Sequence, residues 1–229
     1  TAEVFREQGK FAESIRAYEA LIKRYPKEAS ANVVYWLGQL SLEVEPPDTK
    51  RGETYFRRFT DQFKDHPYFI WAAFGLAEAL NGGKKNDDAW EWYQKVEKLA
   101  PHVIADAGRR DALVLKCQLQ MGRMAYDSKR WEFARRYLLR IGYLAGGDQA
   151  AEALYKAGVA TWQLKDTHAA VAVWQRLLRI HPESTWTKTM LQELAKFGVR
   201  LKDDGKTLEP TAGAGATVRT EAAAPPRKK

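Results

Sequence analysis

A pattern of amphipathic helices recurs along this chain, and that repetition restricts its fold more than any other feature. The stretch from Gly9 to Pro26, GKFAESIRAYEALIKRYP, has echoes at 56–67, 87–101, 129–144 and 165–182. Within the echoes the apolar residues return every three or four positions, as at Ala170, Trp174, Leu177 and Ile180, which places them on one side of an α-helix. Ahead of these stretches lie further helical segments carrying a small residue in the pairs Leu37-Gly38, Leu76-Ala77, Met121-Gly122 and Ala157-Gly158. Small side chains there let two helix axes approach closely. Helical hairpins of this kind cannot bury their apolar faces alone and must stack on one another.

These motifs resemble the tetratricopeptide repeat (TPR), a helix-turn-helix unit whose pattern runs W-x2-L-G-x2-Y, A-x3-F and P. In the last repeat the matching residues are Leu154, Ala157, Gly158 and Thr161, then Ala170, Trp174 and Leu177, closed by Pro182. An earlier one has Ala73, Leu76, Ala77 and Leu80, then Ala89, Tyr93 and Val96, closed by Pro101. Gly122, Ala134, Leu138 and Ile141 hold the places in between, with Gly146 where a closing proline would fall. The resemblance implies an all-α fold: a right-handed superhelical α-solenoid of TPR hairpins, with a C-terminal capping helix and a disordered tail.

The closing positions 26, 67, 101, 146 and 182 divide the chain unevenly. The expected organisation is a truncated repeat over 1–26, then repeats over 27–67, 68–101, 102–146 and 147–182, a capping helix over 183–201 and a disordered tail over 202–229. The tandem prolines Pro46-Pro47 stop a helix in the second repeat. Extra residues between His102 and Asp111 fit either a short helix or an extension of the next one. The tail is rich in Ala, Pro, Gly, Thr and charge. A chain that begins with Thr in mid-repeat reads as a piece or a processed product, which leaves a signal peptide, a lipid anchor or further repeats upstream open.

Composition narrows the chemistry. The single Cys117 rules out an internal disulfide and a cysteine metal cluster, and His66, His102, His168 and His181 lie far apart in sequence. The pairs Gly82-Gly83 and Gly146-Gly147 lack the setting of a phosphate-binding loop. Asp87-Asp88 opens a helix, where carboxylates favour the positive end of the macrodipole. No catalytic residue, metal or cofactor is expected. No apolar run is long enough to span a bilayer, and mean hydropathy is −0.52.

Eight Trp, ten Tyr and nine Phe stand out against this background. In the stacked repeats that the chain resembles, one face of each first helix lines a concave groove. The positions that fall there include Tyr35 and Gln39, then Trp71, Phe74 and Glu78, then Arg123 and Tyr126, then Tyr155 and Trp162. Large aromatics beside a few polar groups are what peptide-binding surfaces use. These nine residues are the expected partner-binding set, with Trp71, Phe74, Tyr126 and Trp162 partly exposed. Trp36, Trp90, Trp92, Trp131, Trp174 and Trp186 are assigned to packing or to the outer surface.

The net charge of +8 includes a cluster at Lys129, Arg130, Arg135, Arg136 and Arg140, which reads as a solvated outer face. A nucleic-acid partner is disfavoured, because it would require a contiguous basic stripe with exposed aromatics.

Two stretches, Asn32 to Gln39 and Ala153 to Ala160, resemble repeats of the TolA-binding Tol-Pal protein of bacterial envelopes. Lys23-Arg-Tyr-Pro26 is similar to helix ends of the repeat-containing lipoprotein of outer-membrane β-barrel assembly. Both likenesses imply a periplasmic, non-enzymatic scaffold of the cell envelope. The expected function is therefore binding of a peptide or helix of a partner protein in the groove. The alternative is a regulatory or positioning region of a larger enzyme or signalling protein. Peripheral membrane association through an upstream segment stays open.

Overall fold

The computed structural model describes residues 2–26 and 30–211. The chain divides into two compact units, Thr1–Cys117 and Gln118–Lys229. The first contains α1 (Ala2–Glu7), α2 (Phe11–Arg24), α3 (Ala31–Glu43), α4 (Thr49–Gln62), α5 (Phe69–Gly82), α6 (Asn86–Val103) and the first half of α7 (Ala107–Asp127). The second contains the rest of α7, then α8 (Trp131–Leu144), α9 (Gly147–Gln163), α10 (Thr167–Ile180) and α11 (Thr185–Glu193). A 3-10 turn at Leu194–Phe197 leads into a short antiparallel hairpin, β1 (Val199–Leu201) and β2 (Leu208–Pro210).

Sequence chemistry sets several of these boundaries. Asp48 accepts from the Arg51 N–H at 2.9 Å and Asp166 from the Ala169 N–H at 3.1 Å, so each satisfies a helix-start donor that has no partner inside the helix. Ser184 does the same for α11, accepting from the Trp186 N–H at 3.2 Å. The turn joining the two helices of a hairpin has its own signature. Gly9, Lys84, Lys129 and Lys165 each lie two residues before a helix starts, with φ of 71°, 60°, 57° and 68°. That left-handed conformation is natural for glycine and strained for lysine.

Consecutive helices pack on one another within each unit: α1 on α2, α3 on α4, α4 on α5 and α5 on α6 in the first, and α8 on α9 and α9 on α10 in the second. The small residues decide how closely. A Cβ placed on Gly38 of α3 would lie 2.7 Å from the Phe56 ring of α4, and one on Gly75 of α5 would strike the same ring. Phe56 is fully buried, so one aromatic ring fits between two glycines of neighbouring hairpins. Gly122 meets Leu138 in the same way, and Gly158 meets Trp174, which is fully buried and donates its indole N–H to the Tyr155 carbonyl at 3.2 Å.

Three expectations are corrected. Pro101 does not close α6, which continues to Val103; its fixed φ suits a helix although its ring forgoes one helical hydrogen bond, and the chain turns instead at Ile104. The segment expected as one capping helix over 183–201 is α11, the 3-10 turn and β1, because Gly198 at φ 58° ends the helical run. The expected disorder from 202 onward does not hold for 202–211, where β2 pairs with β1 through Leu201 and Leu208 and the Thr211 N–H bonds the Gly198 carbonyl at 2.7 Å. Residues 212–229 of that tail lie outside the described residues. The extra residues after His102 extend α7 at its start.

Candidate functional site

In the first unit, helical spacing puts Tyr35 and Gln39 on one face of α3 and Trp71, Phe74 and Glu78 on one face of α5. All five line a single cavity of about 260 Å³. The contact of Phe56 with Gly38 and Gly75 explains why the two faces come so close. Leu42, Glu43, Leu113 and Lys116 complete the lining. Glu43 follows Gln39 by four residues and Leu113 precedes Lys116 by three, so the same helical spacing carries both.

Tyr35, Trp71 and Phe74 are each half-buried. The Tyr35 ring meets Trp36 edge-on at 5.3 Å and Tyr68 at 5.0 Å between centroids. Burial pushes the Tyr35 hydroxyl up to about 12, helped by Tyr68 and by the Glu43 carboxylate, so it stays a neutral phenol. Phe74 leans on Tyr93 at 6.0 Å, and the Tyr93 hydroxyl donates to Glu78. Burial, then the neighbouring Glu78 charge, drive the Tyr93 hydroxyl far above its usual range. The cavity thus joins a rigid aromatic wall to two carboxylates, Glu43 and Glu78, and one ammonium, Lys116.

The second unit treats its candidates differently. Arg123 donates its Nε–H to Glu152 at 3.0 Å and makes a second bond to the same carboxylate, while Lys156 reaches it at 2.8 Å. Burial alone would raise the Glu152 carboxyl; the hydrogen bonds from Arg123 and Lys156 outweigh it and hold the group below its ordinary value. Lys156 also lies 5.4 Å from the Tyr126 ring and 5.6 Å from that of Trp186. Tyr155 stacks on Trp186 at 5.5 Å, donates its hydroxyl to Glu193 and is only 8% exposed. Tyr155, expected on the partner-binding face, is therefore covered by α11. Trp162 is half-buried, stacked on Trp174 at 6.1 Å with Phe197 against its edge. In this unit each expected binding residue is engaged by other side chains of the unit: Arg123 by Glu152, Tyr126 by Trp131 and Lys156, Tyr155 by Trp186 and Glu193, and Trp162 by Trp174 and Phe197.

Among the described residues no group of three or more His, Cys, Asp or Glu could hold a metal ion, and no helix is long and apolar enough to cross a membrane. Cys117 is fully buried and burial pushes its thiol well above the usual range.

Two segments match family models described as tetratricopeptide repeat, residues 1–43 and 152–184. No curated protein sequence matches the chain. Its fold resembles that of YrrB, described as a TPR protein with an unusual peptide-binding site, with a TM-score of 0.61, 13% identity, and 83% of this chain and 88% of that one covered. The MamA protein is similar too, with a TM-score of 0.59, 14% identity, and 88% and 93% covered. Segments of the chain thus match tetratricopeptide repeats, and its fold is similar to that of a solved protein described as a TPR protein.

Proposed function

We propose that this protein is a non-catalytic scaffold for protein–protein interaction, and that the cavity between the faces of α3 and α5 receives a segment of its partner. One observation carries the reading: Tyr35, Gln39, Trp71, Phe74 and Glu78, from two helices, line the same cavity. A volume of about 260 Å³ suits one large side chain rather than a small-molecule ligand. The aromatic wall asks for an apolar anchor, and the excess of two carboxylates, Glu43 and Glu78, over one ammonium, Lys116, favours a basic residue next to it. The peptide-binding site in the name given to YrrB agrees with such a role. Arg123, Tyr126 and Trp162 of the second unit join the proposal as secondary contacts. The cell envelope is the place to look for the partner, on the likeness of 32–39 and 153–160 to envelope repeats, and fractionation of the native host tests that placement.

The test is selection from a random peptide display library on the immobilised full chain. Selected peptides should share an apolar residue beside a Lys or Arg, and Trp71→Ala or Glu78→Gln should weaken them at least tenfold while far-ultraviolet circular dichroism stays unchanged. Peptides that bind both variants as well as the parent would overturn the assignment of this cavity.

A further inference from the structure

The outer face of the second unit has a chemistry that the cavity does not explain. Within α8, Arg135, Arg136 and Arg140 face a single acid, Glu132, and α10 carries Arg176 and Arg179 with no acid at all. The corresponding helix α6 of the first unit has four acids and two lysines. Glu132 is already bonded to Arg135 at 3.0 Å. Along α8, Phe133, Arg136, Arg140, Tyr143 and Leu144 follow one another at helical spacing, which puts arginines and apolar groups on one side. The Arg176 guanidinium of α10 lies 4.1 Å from the centre of the Tyr143 ring, so this side of α8 continues onto α10. Ile180 follows Arg176 by one helical turn. Tyr143, Leu144 and Ile180 are 55%, 60% and 48% exposed.

We propose that this face of α8 and α10 docks on a bilayer surface rich in anionic lipid. Arginines beside protruding aliphatic and aromatic groups match the headgroup boundary, where cations meet lipid phosphates and apolar tips enter the acyl region. The cation contacts separate this partner from a nucleic acid. Arg130 stands over the Phe133 ring at 4.8 Å and Arg176 over Tyr143, so one face of each ring on which a base would stack is already taken by a cation. The exposed methyl groups of Leu144 and Ile180 offer nothing to a phosphate backbone and suit a lipid interior. This site lies on other helices than the cavity and does not depend on it.

The experiment sediments the full chain with vesicles of phosphatidylcholine, with and without phosphatidylglycerol. Binding should require phosphatidylglycerol and fall as salt rises. The pair Arg136→Gln with Arg140→Gln should weaken it by about fivefold per arginine removed. Leu144→Ser with Ile180→Ser should weaken it as well, with the charge unchanged. Lys23→Gln with Lys50→Gln removes the same charge from α2 and α4 and should leave binding intact. The substituted positions Lys23, Lys50, Arg136, Arg140, Leu144 and Ile180 are all exposed, and circular dichroism confirms that each variant folds. The proposal is overturned by absence of phosphatidylglycerol-dependent binding, by equal loss in the α2 and α4 variant, or by a single-stranded RNA oligonucleotide that displaces the vesicles and binds the Leu144→Ser, Ile180→Ser variant as well as the parent.

Discussion

Three lysines in the left-handed region offer a direct way to test how the hairpins are built. Lys84, Lys129 and Lys165 each hold the position that Gly9 holds in the first hairpin, two residues before the second helix. All three side chains are exposed, so replacing them removes no buried contact. The left-handed conformation costs an L-residue about 1–2 kcal/mol. Glycine removes that cost but adds freedom to the unfolded chain, which returns about 0.4–1 kcal/mol. The net expectation is roughly 0.5–1 kcal/mol of added stability per site. Lys129 and Lys165 fall in the same compact unit, so the double change to glycine should stabilise it by about 1–2 kcal/mol if the two turns act independently. Equilibrium unfolding in urea, followed by circular dichroism, reads this as a higher midpoint at unchanged slope. The matching alanine variants are the control: they remove the charge near the helix start but keep the Cβ, so they should gain little. Glycine variants no more stable than alanine variants would refute the strain argument, and Gly9→Lys should destabilise the chain for the same reason that the others stabilise it.

Gly38→Ala should cost about 1–3 kcal/mol, because the new Cβ meets the buried Phe56 ring at 2.7 Å and Gly75 stands on its other side, leaving no room to retreat; urea unfolding checks it. Glu152 is held below its ordinary value of 4.5, so its contribution is fully present above that pH and is lost as pH falls through the lower value of the folded protein. Acid titration of the parent should therefore show a loss of stability below about pH 4.5 that is smaller in Glu152→Gln. Cys117, buried and with its thiol pushed up, should stay unreactive toward a disulfide reagent at mildly alkaline pH until urea unfolds the chain; rapid labelling of the native protein would contradict its burial.

The hairpins were legible in the sequence because burial of one helix face imposes a period that survives substitution, and because pairs such as Ala157-Gly158 mark where a large ring must fit. The first-unit candidates were legible for the same reason: Tyr35 and Gln39, like Trp71, Phe74 and Glu78, share a helix face by spacing alone. Tyr155 has equally good spacing, yet Trp186 covers it, and that contact depends on where α11 packs rather than on any local pattern. The β-hairpin was hidden by strands of three residues, too short to show alternation, although Asp203-Asp204-Gly205 is a turn signal. Asp204 accepts from the Lys206 and Thr207 N–H groups at 2.8 Å each, which closes that turn. The arginine-rich side of α8 was visible as a run of charge, whereas its continuity with α10 became apparent only from Arg176 lying over Tyr143.

The small hairpin at the end of the described chain has a further consequence for how the protein behaves in concentrated solution. The Gln175 side chain of α10 donates to the Lys206 carbonyl at 2.5 Å and accepts from the Leu208 N–H at 2.7 Å. A side-chain amide thus stands where the peptide group of a third strand would stand, and Pro210 has no N–H to offer farther along. An unpaired strand edge is a template for joining other chains, and here α10 supplies a plug of one residue. Gln175 is accordingly a guard against edge-to-edge aggregation as much as a tether for the hairpin.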